Sequence, residues 1–382
     1  MKNAVIVEAK RTPFGRAVKG STAATRPEYL GLVVLEALKP LLKDWSVLED
    51  VIVGCAMPEG EQGMNLARLV SFRAGLPITA GAATINRFCG SSQESVLMAV
   101  RAIQAGAGEV FLAGGVESMS KVPMMGFNPS VDPWLTENYP EAFCSMGITA
   151  EKLAKEYGIT RAQQDEFSFN SHQKAAAAWK AGKYTKECVA FTTKGLDGKD
   201  VLVDRDECVR ADTSVEKLAE LKPSFMEGGT VTPGNSSPLT DGASFLLVME
   251  EEAAKAAGLK PIARMLQGAV AGVEPDRMGI GPVPAVKKVL GRVGLSMDQI
   301  DAIELNEAFA AQSLAVIKEG GYDPAKVNAW GGAIAIGHPL GATGARIITT
   351  VIHRLHADGG RYGIATMCIG GGQGIATVIE KL

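Results

Sequence analysis

The sequence predicts an α/β protein built from two duplicated halves with a long segment inserted into the first. Three observations carry this. Apolar strands alternate with amphipathic helices over residues 1–120, the same order of elements returns over 283–382, and the stretch 121–241 between them differs in texture. In the first half, Leu30, Val34, Leu38 and Leu41 recur at helical spacing after Pro27, a residue suited to a first helical turn. Val51-Ile-Val and Val110-Phe-Leu-Ala read as short buried strands, and between them a helix spans Ser91 to Ala105, entered through Cys89-Gly90. In the second half a helix over Val286, Val289 and Val293 leads to the strand Ala302-Ile-Glu-Leu, and a glycine-rich turn from Gly337 to Gly344 enters another helix. The strand Ile364-Ala-Thr-Met then runs into Cys368-Ile-Gly-Gly-Gly, as Phe111-Leu-Ala runs into Gly114-Gly115. The closing strands Ser244–Val248 and Gly374–Val378 match in kind.

The inserted segment opens with prolines and glycines and holds helices around Thr149–Tyr157 and Ala162–Lys180. Thr160 and Gln163 form a capping box for the second helix, and the segment closes with Thr230-Val-Thr-Pro-Gly-Asn-Ser-Ser. An insertion of this length in a compact core reads as a lid or substrate-binding subdomain rather than a linker. The expected division is 1–120 with 242–266 for the first half, 121–241 for the inserted domain, and 267–382 for the second half.

Composition narrows the function. With 39 Lys and Arg against 42 Asp and Glu, the net charge of −3 provides no basic field, so no nucleic-acid partner is expected. The six cysteines are scattered without a C-x-x-C pair, which indicates neither a zinc framework nor a disulfide scaffold. No apolar run suits a secretory signal or a membrane span, so a soluble, reduced, cytoplasmic protein without a membrane partner is expected. The terminal Glu380-Lys381-Leu382 lacks the small residue a peroxisomal address requires at its first position. His353 and His356, three apart on a helix, have no further ligand beside them and read as a solvated face rather than a metal pair.

Four motifs carry chemistry. Asn86-Arg-Phe-Cys89-Gly-Ser-Ser sets a cysteine at a helix start, where free N–H groups and the helix dipole would favour thiolate over thiol. Taken alone, Cys89 reads more readily as a buried small residue capping a helix. Gly337-His338-Pro holds a histidine at a strand-to-helix corner, as a base or as a structural partner of loop carbonyls. Cys368-Ile-Gly370-Gly-Gly-Gln-Gly374 follows a strand with glycines that let backbone N–H groups approach a ligand; it is no dinucleotide fingerprint, since a strand follows. Asn306-Glu307-Ala-Phe309 is a polar pair at a strand end, where open α/β sheets put functional groups.

Together, in this order and on a duplicated plan, the four motifs resemble the thiolase family, and the likeness runs from Arg11-Thr-Pro-Phe-Gly to the final strand. The resemblance implies a five-layered α-β-α-β-α arrangement of two halves with an inserted loop domain. It implies an acyltransferase that cleaves 3-ketoacyl-CoA with CoA, Cys89 being the nucleophile, His338 its base and Cys368 the general acid and base. One oxyanion pocket would use His338 and a water held by Asn306; the other, the backbone N–H groups of Cys89 and Gly370. CoA, a co-substrate, would meet Arg210, Phe225, Ser237 and Met278. No metal or redox cofactor is implied, and a homodimer or tetramer is.

Two departures bear on detail. Trp330 stands where the family commonly has asparagine or histidine, which is expected to disturb the hydrogen bonding around Asn328. Glu117-Ser-Met-Ser-Lys-Val-Pro-Met124, Met146-Gly147 and Val231-Thr-Pro-Gly-Asn-Ser-Ser resemble the degradative type more than the biosynthetic acetoacetyl-CoA type, which points to fatty-acid β-oxidation. The alternatives are that biosynthetic acetyl-CoA acetyltransferase, a decarboxylating ketoacyl synthase, and a catalytically silent thiolase-like lipid carrier. Cys368 argues against the synthase, and the complete set of nucleophile, base and acid argues against the carrier.

Overall fold

A computed structural model of the chain describes residues 2–382. The first half orders its strands as Gly81–Ile85, Asp50–Gly54, Val110–Ser118, Thr240–Glu250 and Ala4–Arg11, the first three parallel and the last two antiparallel to their neighbours. The second half repeats the scheme with Ala302–Leu305, Tyr362–Ile369, Gln373–Lys381 and Ala263–Gly272, one parallel pairing here in place of two, followed by the same two antiparallel ones. Equivalent strands therefore occupy equivalent places. The two half-sheets join through a single pairing of Ile6 with Ala263, and with the short strand Gly15–Arg16 paired to Thr240 and Asp241 they make one ten-stranded sheet. The boundary expected between residues 266 and 267 falls inside the strand Ala263–Gly272.

Two helices lie between the halves. Ser91–Ala105 packs against strands of both, and so does Leu340–Asp358, of which fifteen of nineteen residues are buried. Their mutual approach depends on glycine: a Cβ on Gly344 would lie 2.4 Å from the backbone nitrogen of Gln93. Ser92 Oγ accepts the Ala345 N–H at 2.9 Å, and Gln93 Nε2 donates to Ala365 O at 2.9 Å. Helices such as Pro27–Leu38 and Pro282–Val293 cover the outer faces and bury one side against the sheet, which completes the layers.

Thr160 and Gln163 form the expected capping box at the start of Arg161–Lys180, and the preceding helix runs from Met146 to Tyr157. The inserted segment is tied to the first strand by a buried charge cluster. Arg11 Nε donates to Glu187 at 2.6 Å, while its two terminal nitrogens grip Asp206 at 2.7 and 2.9 Å. Among the described residues no helix is long and apolar enough to cross a membrane.

Candidate active site

Both helices between the halves begin at a residue singled out by the sequence. Cys89 precedes Ser91–Ala105, and His338 precedes Leu340–Asp358. The turn into the first helix is strained: Phe88 has φ +45°, a left-handed conformation that costs a bulky residue about 1–3 kcal/mol. Local hydrogen bonds hold it. Phe88 N–H donates to Asn86 Oδ1 at 2.7 Å, Arg87 N–H donates to Ser91 Oγ at 2.9 Å, and that hydroxyl donates to Phe88 O at 2.5 Å. A Cβ on Gly90 would lie 2.6 Å from Ile369 Cδ1, so this helix start sits directly on the strand that carries Cys368.

His338 stands between the short helix Ala333–Ile336 and Leu340–Asp358, so its corner joins helix to helix and not, as expected, strand to helix. Its tautomer follows from its partners. Thr343 Oγ1 directs its one hydrogen to Pro339 O at 2.9 Å and so accepts from His338 Nδ1 at 2.7 Å. Nε2 is left as the basic nitrogen, and Asn306 Nδ2 lies 3.3 Å from it, a long and weak contact. Cys368 is within the strand Tyr362–Ile369, one residue before its end, rather than in the loop beyond. The backbone N–H groups of Gly370 and of Cys89 itself favour the thiolate form of Cys89.

Cys89, His338 and Cys368 line one cavity of about 760 Å³, and so do Arg210, Phe225, Ser237 and Met278. Asn306 and Gly370 are not in its lining; they reach it through His338 and the Cys89 sulfur. Phe225 stacks edge-on against Phe309, with centroids 5.8 Å apart, over Gly147, where any Cβ would collide with the Phe225 ring. Ser237 is fixed by its N–H to Ala308 O at 3.0 Å, and Arg210 rests its guanidinium 3.2 Å from His172 Nε2. His353 and His356 lie apart from this site and turn Nε2 to Ala9 O and Ile262 O.

The protonation state corrects one expectation. Burial pushes the Cys89 thiol up to about 12; the N–H groups of Gly370 and Cys89 favour the thiolate but do not outweigh it. Burial, with Cys89 beside it, likewise raises Cys368 well above the usual thiol range. Burial and then the charge of Arg346 hold His338 down to about 3. These shifts favour two thiols and a neutral imidazole. Such a set exchanges protons when a substrate supplies the drive, instead of holding a standing thiolate.

Three participants are not marked by any local pattern. Thr343, which sets the tautomer, lies in the glycine-rich turn five residues beyond His338, but its role needs the helix start to be folded. Val18 lines the cavity with φ +69°, an outlier for a β-branched residue, held by its N–H to Ser120 Oγ at 2.7 Å. Glu117, part of the segment that bears on substrate type, turns its carboxylate to the Gly341 N–H at 2.7 Å. Trp330 does not disturb Asn328 as expected: it is buried edge-on against Tyr184, while Asn328 donates to Leu305 O at 2.8 Å and accepts Leu305 N–H at 2.9 Å.

Comparisons with known proteins agree along the whole chain. Residues 4–252 match the model of the thiolase N-terminal domain, and residues 259–381 that of the thiolase C-terminal domain. The chain is 51% identical to a 3-ketoacyl-CoA thiolase of Shewanella loihica and 46% identical to one of Bacillus subtilis, in each case over 100% of both proteins. Among solved structures it resembles the Bacillus anthracis acetyl-CoA acetyltransferase, with TM-score 0.92 and 42% identity. It also resembles the human mitochondrial 3-ketoacyl-CoA thiolase, with TM-score 0.92 and 37% identity. Each structural match covers 100% of this chain and 99% of the other.

Proposed function

Because the chain belongs to the thiolase family of acyltransferases, we propose that it cleaves 3-ketoacyl-CoA with CoA, giving acetyl-CoA and an acyl-CoA two carbons shorter. The observation that carries this reading is the convergence of Cys89, His338 and Cys368 on one cavity. His338 Nε2 takes the Cys89 proton as the sulfur attacks the 3-keto carbon. The bond between the second and third carbons breaks, and the acetyl-CoA enolate takes its proton from Cys368. The acyl group stays on Cys89. Cys368, now a thiolate, takes the proton of an incoming CoA thiol, whose sulfur attacks the thioester, and His338 returns its proton to the departing Cys89.

The contacts around the cavity suit these steps. Once Nε2 carries a proton, it and a water held by the neighbouring Asn306 would be two donors for one oxyanion; the N–H groups of Cys89 and Gly370 suit the other. Arg210, Phe225, Ser237 and Met278 are the residues for CoA, the cation toward the nucleotide and Ser237 toward the pantetheine. No redox step is involved, and the protein's own groups handle each proton.

Substrate length is read from the cavity rim. Val18, Met124 and Leu239 line it and yet are 59%, 38% and 50% exposed, an apolar edge that a longer acyl chain would cover. This favours degradative thiolysis of medium and longer chains. The likeness to an acetyl-CoA acetyltransferase supports the second reading, condensation of two acetyl-CoA molecules. A thiolysis series from four-carbon to sixteen-carbon substrates separates them: activity is expected to persist through the long members, and activity confined to the four-carbon member would sink the degradative assignment.

We further infer a homodimer in the cytoplasm. The edge strand Gly81–Ile85 is half-exposed, with Phe72, Ile78 and Phe88 bare in the same region of the chain, and an edge of this kind calls for a cover. Six free cysteines suit a reducing compartment. Sedimentation velocity should return twice the chain mass, and a monomer at micromolar concentration would refute the dimer.

A further inference from the structure

The loop that carries His338 is gripped at both ends by buried carboxylates. At its far end, Glu117 Oε2 accepts the Gly341 N–H at 2.7 Å and the Ala56 N–H at 2.7 Å. The other oxygen accepts Gln62 Nε2 at 2.8 Å and the Met57 N–H at 3.2 Å. At its near end, Glu307 Oε2 accepts the Ser171 hydroxyl at 2.6 Å and the Ile334 N–H at 3.2 Å, while Oε1 accepts Asn328 Nδ2 at 2.8 Å. Ser171 Oγ in turn accepts the Gly332 N–H at 3.0 Å. All of these donors are neutral.

The packing leaves no slack. A Cβ on Gly332 would lie 2.2 Å from Glu307 Cδ, and one on Gly341 would lie 2.6 Å from Glu117 Oε2. The two acids come from different halves of the chain, and Ser171 comes from the inserted domain, so all three parts meet on this one loop. Both carboxyl groups are buried, which raises their proton affinity, while the N–H and O–H donors pull it back. Burying two carboxylates for fold stability alone is a poor exchange, because well-packed apolar residues would do as well.

We propose that Glu117 and Glu307 are positioning residues that clamp the helix-to-helix corner between Gly332 and Gly341 from opposite ends and so fix His338 relative to the two cysteines. The proposal rests on His338 being the base. Both oxygens of each carboxylate accept, so Gln at either position keeps the shape but sets its NH2 against an N–H donor in either orientation, Gly341 or Gln62 beside Glu117 and Ile334 or Asn328 beside Glu307, and the clamp loses its fully accepting set.

The test is kcat and KM for thiolysis by Glu117→Gln, Glu307→Gln and the double variant, with folding followed by circular dichroism. Displacement of a reacting group by about 1 Å can cost roughly 10²-fold, so each single variant should lose kcat on about that scale, with KM for CoA changed less than about threefold. Because both act through one loop, the double variant should fall within about threefold of the worse single one, whereas independent sites would multiply to roughly 10⁴-fold. Wild-type kcat in either folded single variant, or a multiplicative loss in the double one, overturns the clamp. If the Gln chains do not fold, Glu117→Asp and Glu307→Asp keep the charge and shorten the reach; they should lose kcat selectively, and full kcat in either overturns the proposal. His338→Ala is measured alongside. Retained turnover there removes the base assignment itself, while its loss beside unimpaired Gln variants removes only the clamp.

Discussion

Cys89→Ser is expected to lower thiolysis by about 10⁴-fold or more while leaving the fold intact, because the nucleophile's loss alone removes the covalent route. Serine fits the space. It keeps the strained Phe88 turn and the approach of the Gly370 N–H, so the loss reports on the sulfur and not on packing. A hydroxyl is far less acidic than a thiol, so its proton passes to His338 much less readily. Steady-state thiolysis followed through the 3-ketoacyl-CoA absorbance, with the folded fraction read by circular dichroism, measures this. Full turnover in the variant would overturn the assignment and return the silent carrier to consideration.

His338→Ala should cost about 10²- to 10⁴-fold in kcat, the usual worth of a positioned acid or base. Its pH dependence is the more telling readout. Burial and Arg346 keep the imidazole neutral in the fold, so Nε2 stays available as a base well below the ordinary histidine range. The acid limb of kcat/KM for the native chain should therefore fall below about pH 5 instead of near 6.5. The sign for stability is the same as for any buried neutral histidine. Below the unfolded value of about 6.5 the unfolded chain binds a proton that the folded chain refuses, so stability falls as pH drops from there toward 3. An acid limb centred near 6.5 that vanishes in His338→Ala would show an exposed, ordinary imidazole and contradict the buried site.

The reacting groups were legible because their roles attach to local patterns. A cysteine before Gly90 and a helix, a histidine between Gly337 and Pro339, and a cysteine at the end of an apolar strand announce themselves in one dimension. Duplication was legible for the same reason: strands of matching kind recur in matching order, and they pair in matching order. What stayed hidden depends on three-dimensional surroundings. The helix start at Cys89 argued for a thiolate, but the depth of burial under the second half decides the matter, and no local spacing records it. The tautomer of His338 hangs on where the Thr343 hydroxyl directs its hydrogen. Trp330 looked disruptive beside Asn328 only until the chain put Tyr184 against it.

The central claim is that the acyl group passes through Cys89, and trapping that intermediate tests it most directly. The chain is exposed to a sixteen-carbon 3-ketoacyl-CoA without free CoA, quenched in acid, digested and mapped by mass spectrometry. The account predicts release of acetyl-CoA and a fourteen-carbon acyl group on the peptide that contains Cys89. An uncleaved sixteen-carbon adduct, an acyl group on Cys368 instead, or no adduct in a sample that turns over when CoA is added, would contradict it.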